Sequence, residues 1–549
     1  AVGRGTGGAG QGGGGGGVVR RDEADGGRGG GAGGGGDVEG GGPLPQSALP
    51  AAGPVQEDGR APGAAREEVV DLQNDVTVAD LELAAREGYR SVEHVKRYTT
   101  LGMATDQGKT SNINALGVLS QTLNEPIPSI GTTTFRPPYT PLSFGAIAGA
   151  RAKHLFQPVR QMPLTHWHQS RGAVFEPVGQ WQRPFCYPLD HEDVQAAVQR
   201  EVRAVREAVG IVDLSTLGKI GIKGPDAAAF VDLIYATPLA KLAPGRCRYG
   251  IMLDDQGMML DDGVVARLSQ HHFLLHTTSG NADKVANWLE FWHQTEWPRL
   301  KVFITPVGEQ WAQFAVAGPH ARHVVTQLQG RMDWSPDSLP HMGLQTGTLL
   351  GAPARVFRIS YSGELSFEIA IPASTAQALW GELLRIGEEF AITPYGTEAL
   401  HVLRAEKGLI AIGDETDGTV IPQDLGLDFA VSKKKADFIG KRSLQRPALA
   451  ASDRKQLVGL LTQDPQELLP DGGQVTAYSD DIVAQREAIG HVTSSYMSPT
   501  LGHSIALALI ARGRERIGET LHIALDKRNV AATVVHPVFY DPKGSRLHG

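Results

Sequence analysis

The hydrophobic positions of residues 68–157 follow a helical period that is marked by capping signals. Thr77 and Asp80 form a sequence typical of a capping box, the helical run LELAARE follows, and Gly88 suits the residue after a helix end. VEHVKRY after Ser91 and INALGVLSQTL predict two further helices. An extended connector is predicted where prolines then recur: Pro126, Pro128, Pro137, Pro138 and Pro141. We therefore expect a small helical module followed by a proline-rich connector.

Residues 158–440 alternate between strand-like and helical patterns and contain an internal repeat. They begin with a segment, predicted to be irregular, that carries Trp167 and Trp181. Further on, IGIKGPDAAAFVDLI at 220–234 matches FAVAGPHARHVVTQL at 314–328, since each has a strand, a Gly-Pro pair, a polar residue and a helix in that order. Two such copies predict a duplicated α+β unit with a ligand cleft between its halves.

The last hundred or so residues, 441–549, consist of short runs such as QLVGLLT, ETLHIAL and NVAATVVHP. Short alternating runs of this kind predict a small antiparallel β-barrel. The fold class predicted for the whole chain is therefore α+β, with a helical module, a duplicated α+β unit and a C-terminal barrel.

An adjacent pair of acids, Asp261 and Asp262, lies inside an apolar hairpin pattern. RYGIML is followed by a turn at 254–257 and then by MMLDDGVVARL. Two charges among apolar residues need partners, because unpaired burial costs several kcal/mol or shifts a pKa. The two carboxylates either accept hydrogen bonds from backbone amides in a bulge or turn, or form part of a functional site. The hairpin segment by itself favours neither alternative.

Composition narrows the classes of function. A chain of 549 residues predicts about three domains, and its net charge of −8 argues against electrostatic binding of nucleic acid. Two cysteines cannot form a cysteine-only zinc or iron–sulfur site. The histidines at 166, 168, 271 and 272 lack partners at zinc-like spacing, so no metal site is predicted. No run of about 18 apolar residues occurs, so we expect no membrane span and a cytoplasmic protein.

Residues 1–67 are glycine runs with scattered charges and no apolar period, which predicts disorder. Gly5 to Gly10 match G-x-G-x-x-G literally, but no strand precedes them and no helix follows, so no NAD site is expected. The chain begins with alanine, which suggests a fragment or a misassigned start.

Five blocks in order resemble the aminomethyltransferase (glycine cleavage T-protein) family of folate-binding proteins. Over about residues 209–538 they are VGIVDLSTLGKIGIKGPDAAAFVDLI, YSGELSFEIAIP, LRAEKGLIAIGDETDGT, DFIGKRSL and GHVTSSYMSPTLGHSIALALI. Upstream, VKRYTTLGMATDQGKTSNINALGVLSQ and GTTTFRPPYTPLSFGAIAGAR resemble the C-terminal half of the alpha subunits of heterotetrameric sarcosine oxidases. The resemblance implies an aminomethyltransferase-like fold that binds tetrahydrofolate.

The resemblance also implies roles for individual residues. In the LDD motif, the essential aspartate of the family matches Asp262, with Asp261 as the fallback or as a backbone-capping acid. Tyr249 matches a position that packs on folate, with core packing as the rival interpretation. Glu368 matches the glutamate that binds the pterin ring through a bidentate, charge-assisted contact. Tyr361 is a candidate stacking or hydroxyl partner in the same block.

Two further expectations concern cations. Arg404 remains in the LRxExG block and is expected to bind folate, but Leu400 stands where glycine cleavage enzymes carry another arginine. In sarcosine oxidases the upstream region lies near an FMN between the alpha and beta subunits. The resemblance therefore implies FMN-phosphate donors on three residues: Arg97, Lys109 and Thr110.

The sequence thus predicts the folate-binding subunit of a sarcosine oxidase-type complex, which would form 5,10-methylenetetrahydrofolate from an oxidised N-methyl amine. A flavin-bearing beta subunit and smaller subunits are the implied partners, and nucleic acid and membrane are not. Two alternatives remain open at this point: a non-catalytic folate-sensing or assembly scaffold, and a truncated orphan subunit that lacks the dinucleotide-binding half.

Overall fold

The computed structural model describes residues 68–137, 139–156, 158–477, 488–525 and 528–548. The segment 1–67, which the sequence predicts to be disordered, lies outside the described residues. The chain divides into a first unit that ends at Pro158 and a second that begins at Val159. Within the described ranges, no helix is long and apolar enough to cross a membrane.

The first unit is built on three helices in the places that the sequence predicts, and the first of them begins with the predicted capping box. Asp80 N donates to Thr77 Oγ1 at 3.3 Å and Thr77 N donates to Asp80 Oδ2 at 2.8 Å, which completes the capping box. Buried Leu81, Val95 and Leu119 share one core. Its elements are β1 (Val69–Asp71), β2 (Val76–Thr77), α1 (Val78–Arg86), α2 (Val92–Thr99), α3 (Asn112–Leu123), α4 (Ile127–Ile130) and α5 (Phe144–Ala148).

The prolines of the connector do not keep it fully extended, contrary to the sequence-based expectation. The connector contains the short helices α4 and α5. Pro126 is the N-cap of α4 and Pro128 lies in its first turn, where a missing N–H breaks no helical hydrogen bond. Proline therefore begins a helix here.

The second unit carries the duplicated α+β part and the barrel. Its elements before the barrel are α6 (Thr165–Ser170), β3 (Val174–Val178), β4 (Trp181–Cys186), α7 (Val194–Glu207), β5 (Gly210–Asp213), β6 (Gly218–Lys223), α8 (Ala227–Ile234), β7 (Arg246–Leu253), β8 (Met259–Ser269), β9 (His272–Thr277), α9 (Ala282–Thr295), β10 (Phe303–Pro306), β11 (Trp311–Ala317), α10 (Ala321–Val325), β12 (Leu344–Leu349), β13 (Ala352–Phe357), β14 (Ser366–Pro372), α11 (Ala376–Gly387), β15 (Thr393–Pro394), α12 (Thr397–Glu406) and α13 (Pro447–Ala450).

The segment that leads into this unit is regular, although the sequence predicts an irregular one. It forms α6 and the antiparallel hairpin β3–β4. Tertiary contacts of its tryptophans explain the difference: Trp167 packs edge-on against Trp380 with ring centroids 5.1 Å apart, and the guanidinium of Arg160 lies 4.3 Å from the ring of Trp181.

Two sheets of matching order confirm the predicted duplication. The first sheet has the order β10-β6-β9-β8-β7, and the second has β15-β5-β11-β14-β13-β12. Each half contributes its first strand to the other sheet, since β5 pairs with β11 and β10 pairs with β6, both antiparallel. The two halves are therefore joined by a reciprocal exchange of strands.

A glycine in each copy of the repeat makes room for the exchanged strand. Gly224 and Gly318 have φ values of +137° and +131°. A Cβ atom at Gly224 would lie 2.1 Å from the carbonyl oxygen of Lys301, just before β10, and one at Gly318 would lie 2.6 Å from that of Ala208, just before β5. Both positions need glycine for its backbone conformation and for close approach.

We expect Gly224→Ala and Gly318→Ala each to lower the free energy of unfolding by about 2 kcal/mol, because backbone rather than a movable side chain blocks the new methyl group. Gly381→Ala in α11 is the control, since no atom of the described residues lies within 4 Å of its Cβ position and alanine favours a helix. Urea unfolding measures all three. Equal stability of the three variants would contradict this role of the repeat glycines.

The C-terminal barrel is closed, as predicted. Its strands are β16 (Lys455–Thr462), β17 (Gln474–Thr476), β18 (Gly490–Ser498), β19 (His503–Ala511), β20 (Thr520–Ala524) and β21 (Asn529–Val535). They close in the order β16-β19-β18-β17-β20-β21. Its interior is aliphatic, with buried Val475, Leu521 and Val534 among its members.

A buried ion cluster ties the barrel to the duplicated part. Arg206 of α7 donates to Glu406 of α12 at 2.6 Å and to Glu364 at 2.9 Å, and all three are at most 3% exposed. Ser498 of β18 donates to the other oxygen of Glu406 at 2.6 Å. The Arg206 guanidinium also lies 4.3 Å from the ring of Tyr540.

Candidate functional site

The two acids of the hairpin occupy different environments on β8. They pair with neighbouring residues of β7, and adjacent residues of a strand point to opposite faces. Asp261 is fully buried and accepts hydrogen bonds from Thr278 Oγ1 at 2.7 Å, Thr278 N at 3.3 Å and Asn281 Nδ2 at 3.2 Å. Burial raises its pKa to about 7, and the charge of Asp262 adds to this. Asp261 therefore anchors the segment after β9.

Asp262, by contrast, is half-buried. The hydroxyl of Tyr249 on β7 donates to Asp262 Oδ2 at 2.6 Å, so the hairpin brings these two residues together as predicted. Burial raises the pKa of Asp262 to about 6, while the hydrogen bond from Tyr249 lowers it. A carboxylate with this pKa can accept a proton near neutral pH.

Tyr361 lies beside this pair. Its hydroxyl donates to the carbonyl oxygen of Ile410 at 2.7 Å. Burial raises its pKa far above the usual range, so the phenol stays neutral, and it is close enough to Asp262 and Tyr249 to interact with both electrostatically.

Glu368 is held on β14 in the interior, where it is 6% exposed. Gln313 on the neighbouring β11 donates from Nε2 to Glu368 Oε2 at 2.5 Å. Burial raises the pKa of Glu368 to about 7, opposed by this hydrogen bond and by the charge of Lys219. A buried carboxyl group with so little compensation is costly to the fold, which is typical of a functional position.

Lys219 on β6 supplies the only positive charge acting on Glu368 that we find in the described part of the chain. Its ammonium group donates to the carbonyl oxygens of Ser215 at 3.1 Å and Leu217 at 2.9 Å. Burial lowers its pKa to about 8, and the charges of Asp213 and Glu368 oppose the shift.

One face of β7 connects Glu368 with Asp262. Cys247 and Tyr249 are two residues apart and so lie on the same face of the strand. Burial raises the pKa of the Cys247 thiol and the nearby charge of Glu368 raises it further, while Tyr249 contacts Asp262. The two predicted carboxyl groups, Asp262 and Glu368, therefore face the same part of the interior of the second unit. This part lies close to the apolar cluster that contains Cys247 of the first sheet and Ala370 of the second.

Comparison with known proteins shows which family this chain resembles. The model of the GCVT N-terminal domain matches residues 164–435, that of the sarcosine oxidase A3 domain matches 65–151, and that of the glycine cleavage T-protein C-terminal barrel domain matches 455–541. An aminomethyltransferase of Corynebacterium aurimucosum is 33% identical over 63% of this chain and 89% of its own length. The chain belongs to the aminomethyltransferase family.

Two further sets of relatives refine this assignment. Sarcosine oxidase alpha subunits of Corynebacterium sp. (strain U-96) and Rhizobium meliloti are 50% and 44% identical over 87% and 89% of this chain, and the chain spans about half (50%) of the length of each. The crystal structure of the glycine cleavage aminomethyltransferase T of Bartonella henselae matches 70% of this chain and 99% of its own, with a TM-score of 0.61 and 26% identity. The aminomethyltransferase-like fold predicted from the sequence is thereby confirmed.

Arg404 is paired within the protein, and its predicted folate contact stays a prediction. Its guanidinium is fully buried and donates to Glu415 at 2.6 Å, Asp414 at 2.7 Å and Ser494 Oγ at 2.8 Å. These contacts join α12 to strand β18 of the barrel. The structure therefore assigns Arg404 a role inside the protein, because its charge is already paired there.

Two of the three predicted FMN-phosphate residues already have partners within the first unit. Lys109 donates to the carbonyl oxygen of Tyr139 at 2.6 Å, and Thr110 Oγ1 donates to Asp106 Oδ2 at 2.5 Å. Asp106 also accepts from the backbone N–H groups of Gly108 and Thr110, so its carboxylate takes donors that a phosphate would need. Arg97 is exposed on α2. The FMN role of Arg97, Lys109 and Thr110 stays a prediction.

Sequence reasoning missed Gln313, Lys219 and His276 as parts of the site. Each is a polar residue at a buried position of an otherwise apolar strand. A polar residue within an apolar strand pattern is visible in the sequence, and it could have identified these three positions. His168, by contrast, has the hydrogen-bonding environment expected of a buried histidine, since its ring nitrogens lie 3.0 Å from Asp213 Oδ2 and 2.9 Å from the hydroxyl of Tyr187.

Proposed function

We propose that this chain binds tetrahydrofolate and transfers a one-carbon unit to it, giving 5,10-methylenetetrahydrofolate. The observation that carries the proposal is the buried carboxyl group of Glu368, which faces the same interior as the half-buried Asp262. Family membership supports tetrahydrofolate as the ligand.

The residues present fit the pterin ring. Its edge offers an N–H and an amino group side by side, and the two oxygens of Glu368 can accept both. In this orientation of the Gln313 amide, the buried atoms Gln313 Oε1 and His276 Nε2 have no hydrogen-bond partner among the described residues. Together with the oxygens of Glu368 they make this part of the interior rich in acceptors, which suits a ligand that donates. Tyr249 and Tyr361 add aromatic surface beside Asp262.

When bound, tetrahydrofolate supplies the nucleophilic nitrogens N5 and N10 that take up the carbon. Glu368 orients the ring, and Asp262 accepts the proton that N10 must lose. Tyr249 holds Asp262 in place through Oδ2 and keeps its pKa from rising further. The surrounding sheets exclude bulk water, which would otherwise hydrolyse a reactive methylene iminium donor.

The donor step belongs to the larger assembly that the relatives indicate. Because similar proteins are named sarcosine oxidase alpha subunits, we infer that this chain corresponds to the folate-binding half of such a subunit. Oxidation of an N-methyl amine would then take place on a flavin-bearing partner in a hetero-oligomer, and the iminium product would reach Asp262.

Calorimetric titration with tetrahydrofolate tests the binding site. We expect Glu368→Gln to weaken binding by about 1.5–3 kcal/mol. Glutamine lacks the charge of the carboxylate, and its NH2 group would face an N–H group of the pterin ring where glutamate has an acceptor oxygen. Glu388→Gln makes the same chemical change at an exposed position and should bind like the parent. Equal affinity of parent and Glu368→Gln would place the pterin site elsewhere.

A further inference from the structure

His276 on β9 is a buried, neutral acceptor. Its Nδ1 lies 3.0 Å from the carbonyl oxygen of Val264, and a carbonyl only accepts, so Nδ1 carries the hydrogen. Burial lowers the pKa of His276 to about 4, and the charge of Lys219 lowers it further. The remaining nitrogen, Nε2, therefore has a lone pair and no hydrogen.

Gln313 connects His276 with Glu368. Its side chain is within hydrogen-bonding reach of His276 on one side and donates from Nε2 to Glu368 Oε2 at 2.5 Å on the other. In this orientation the amide turns its oxygen away from Glu368. Gln313 Oε1 and His276 Nε2 are then both buried acceptors without a donor, which is unfavourable for both.

A half-turn of the Gln313 amide satisfies every one of these atoms, provided that Glu368 carries a proton. Gln313 Nε2 would then donate to His276 Nε2, and the Glu368 hydroxyl would donate to Gln313 Oε1. An ionised Glu368 cannot adopt this arrangement, because its oxygen and Gln313 Oε1 would both be acceptors. The reversed orientation therefore requires a protonated Glu368, whereas the orientation with Gln313 Nε2 donating to Glu368 also accommodates the ionised form.

We propose that His276 and Gln313 are positioning residues that keep Glu368 protonated while the site is empty, and that binding of a ring edge with two N–H donors reverses the amide and expels one proton. The proposal rests on the proposed function, since it assumes that Glu368 receives the pterin. One proton leaves the Glu368 carboxyl group for solvent, and the N–H bonds of the ligand stay intact.

The charged groups around Glu368 are consistent with this assignment. Lys219 from β6 favours the ionised form, but it shares its charge with Asp213 and two carbonyl oxygens. Cys247 from β7 and Tyr395 after β15 are buried, and burial raises the pKa of each, so both are neutral. Arg355 of β13 acts on His276, which it helps to keep neutral. With burial as the largest effect, the pKa of Glu368 lies at about 7.

Calorimetry in buffers of different ionisation enthalpy counts the expelled proton. The probe is 5-formyltetrahydrofolate, a stable reduced folate with the same ring edge. We expect release of close to one proton per site near pH 6, falling towards zero above about pH 8, because Glu368 is then ionised before binding. In His276→Leu the amide loses its acceptor and stays turned towards Glu368, so release near pH 6 should fall at least two-fold.

A spectroscopic measurement keeps the test independent of that variant. Infrared difference spectra of the unaltered chain should show a protonated carboxyl band that disappears when the probe binds and is missing from Glu368→Gln. Binding without proton release, or an empty protein without this band, would overturn the inference and leave the proposed function intact. A folded chain that does not bind the probe would overturn both.

Discussion

Asp262→Asn is expected to slow methylene transfer about 100-fold or more while changing folate affinity only a few-fold. Asparagine keeps the shape of the side chain and can still accept from Tyr249, but it cannot take up the proton from N10. Transfer is measured with the chain in complex with its flavin-bearing partner, as the ratio of 5,10-methylenetetrahydrofolate to free formaldehyde. Asp255→Asn, at the exposed turn of the same hairpin, is the matched control.

The pH dependence of transfer provides a second check on the same residue. Because Asp262 must be ionised to act as a base and its pKa is about 6, transfer should fall as pH drops through about 6. Tyr249→Phe removes a hydrogen bond that lowers this pKa, so the fall should move to higher pH. If Asp262→Asn keeps the parent ratio of products, Asp262 is not the base.

The largest effect on stability is expected from Arg206→Leu, which leaves Glu406 buried without its cation and leaves Glu364 with Arg546 alone, at 3.5 Å. Removing one partner of a buried ion pair typically costs about 3–5 kcal/mol, because the remaining charge is neither solvated nor compensated. Denaturant unfolding measures the loss. The control is Arg385→Leu, whose partner pair with Glu382 is on the surface, where an ion pair contributes about 1 kcal/mol or less.

A similar loss of stability in the two arginine variants would show that the cluster around Arg206 adds little to the fold. A loss confined to the barrel, detected by hydrogen exchange, would show that the cluster only attaches the barrel through Ser498 and Tyr540. We expect the whole second unit to be affected, since Arg206 lies on α7 and Glu406 on α12.

Local sequence patterns were enough to predict much of the fold and the centre of the candidate site. The capping box at Thr77, the hairpin with Tyr249 and Asp262, and the two Gly-Pro repeats depend on residues close in sequence, and the structure has all of them. The exchange of β5 and β10 depends on pairing between segments that are about 80 residues apart for β10 and β6 and about 100 apart for β5 and β11, which no local pattern encodes.

The same reason explains which contacts around the site the sequence did not predict. Arg404 has the right residue type for an anion, and only the tertiary fold shows that Glu415 and Asp414 already pair with it. Gln313 and His276 come from different halves of the duplication, so their proximity to Glu368 could not be predicted from either strand alone.

The reciprocal exchange of strands has a consequence for how the molecule can be divided. If either half were expressed alone, β6 would lose its partner β10 or β11 would lose its partner β5, and that strand would be open to pairing with other chains. Two fragments cut between α9 and β10 could regain their partners only by associating with each other. The duplicated unit therefore behaves as a covalently linked pair, in which each copy serves as the template that completes the other.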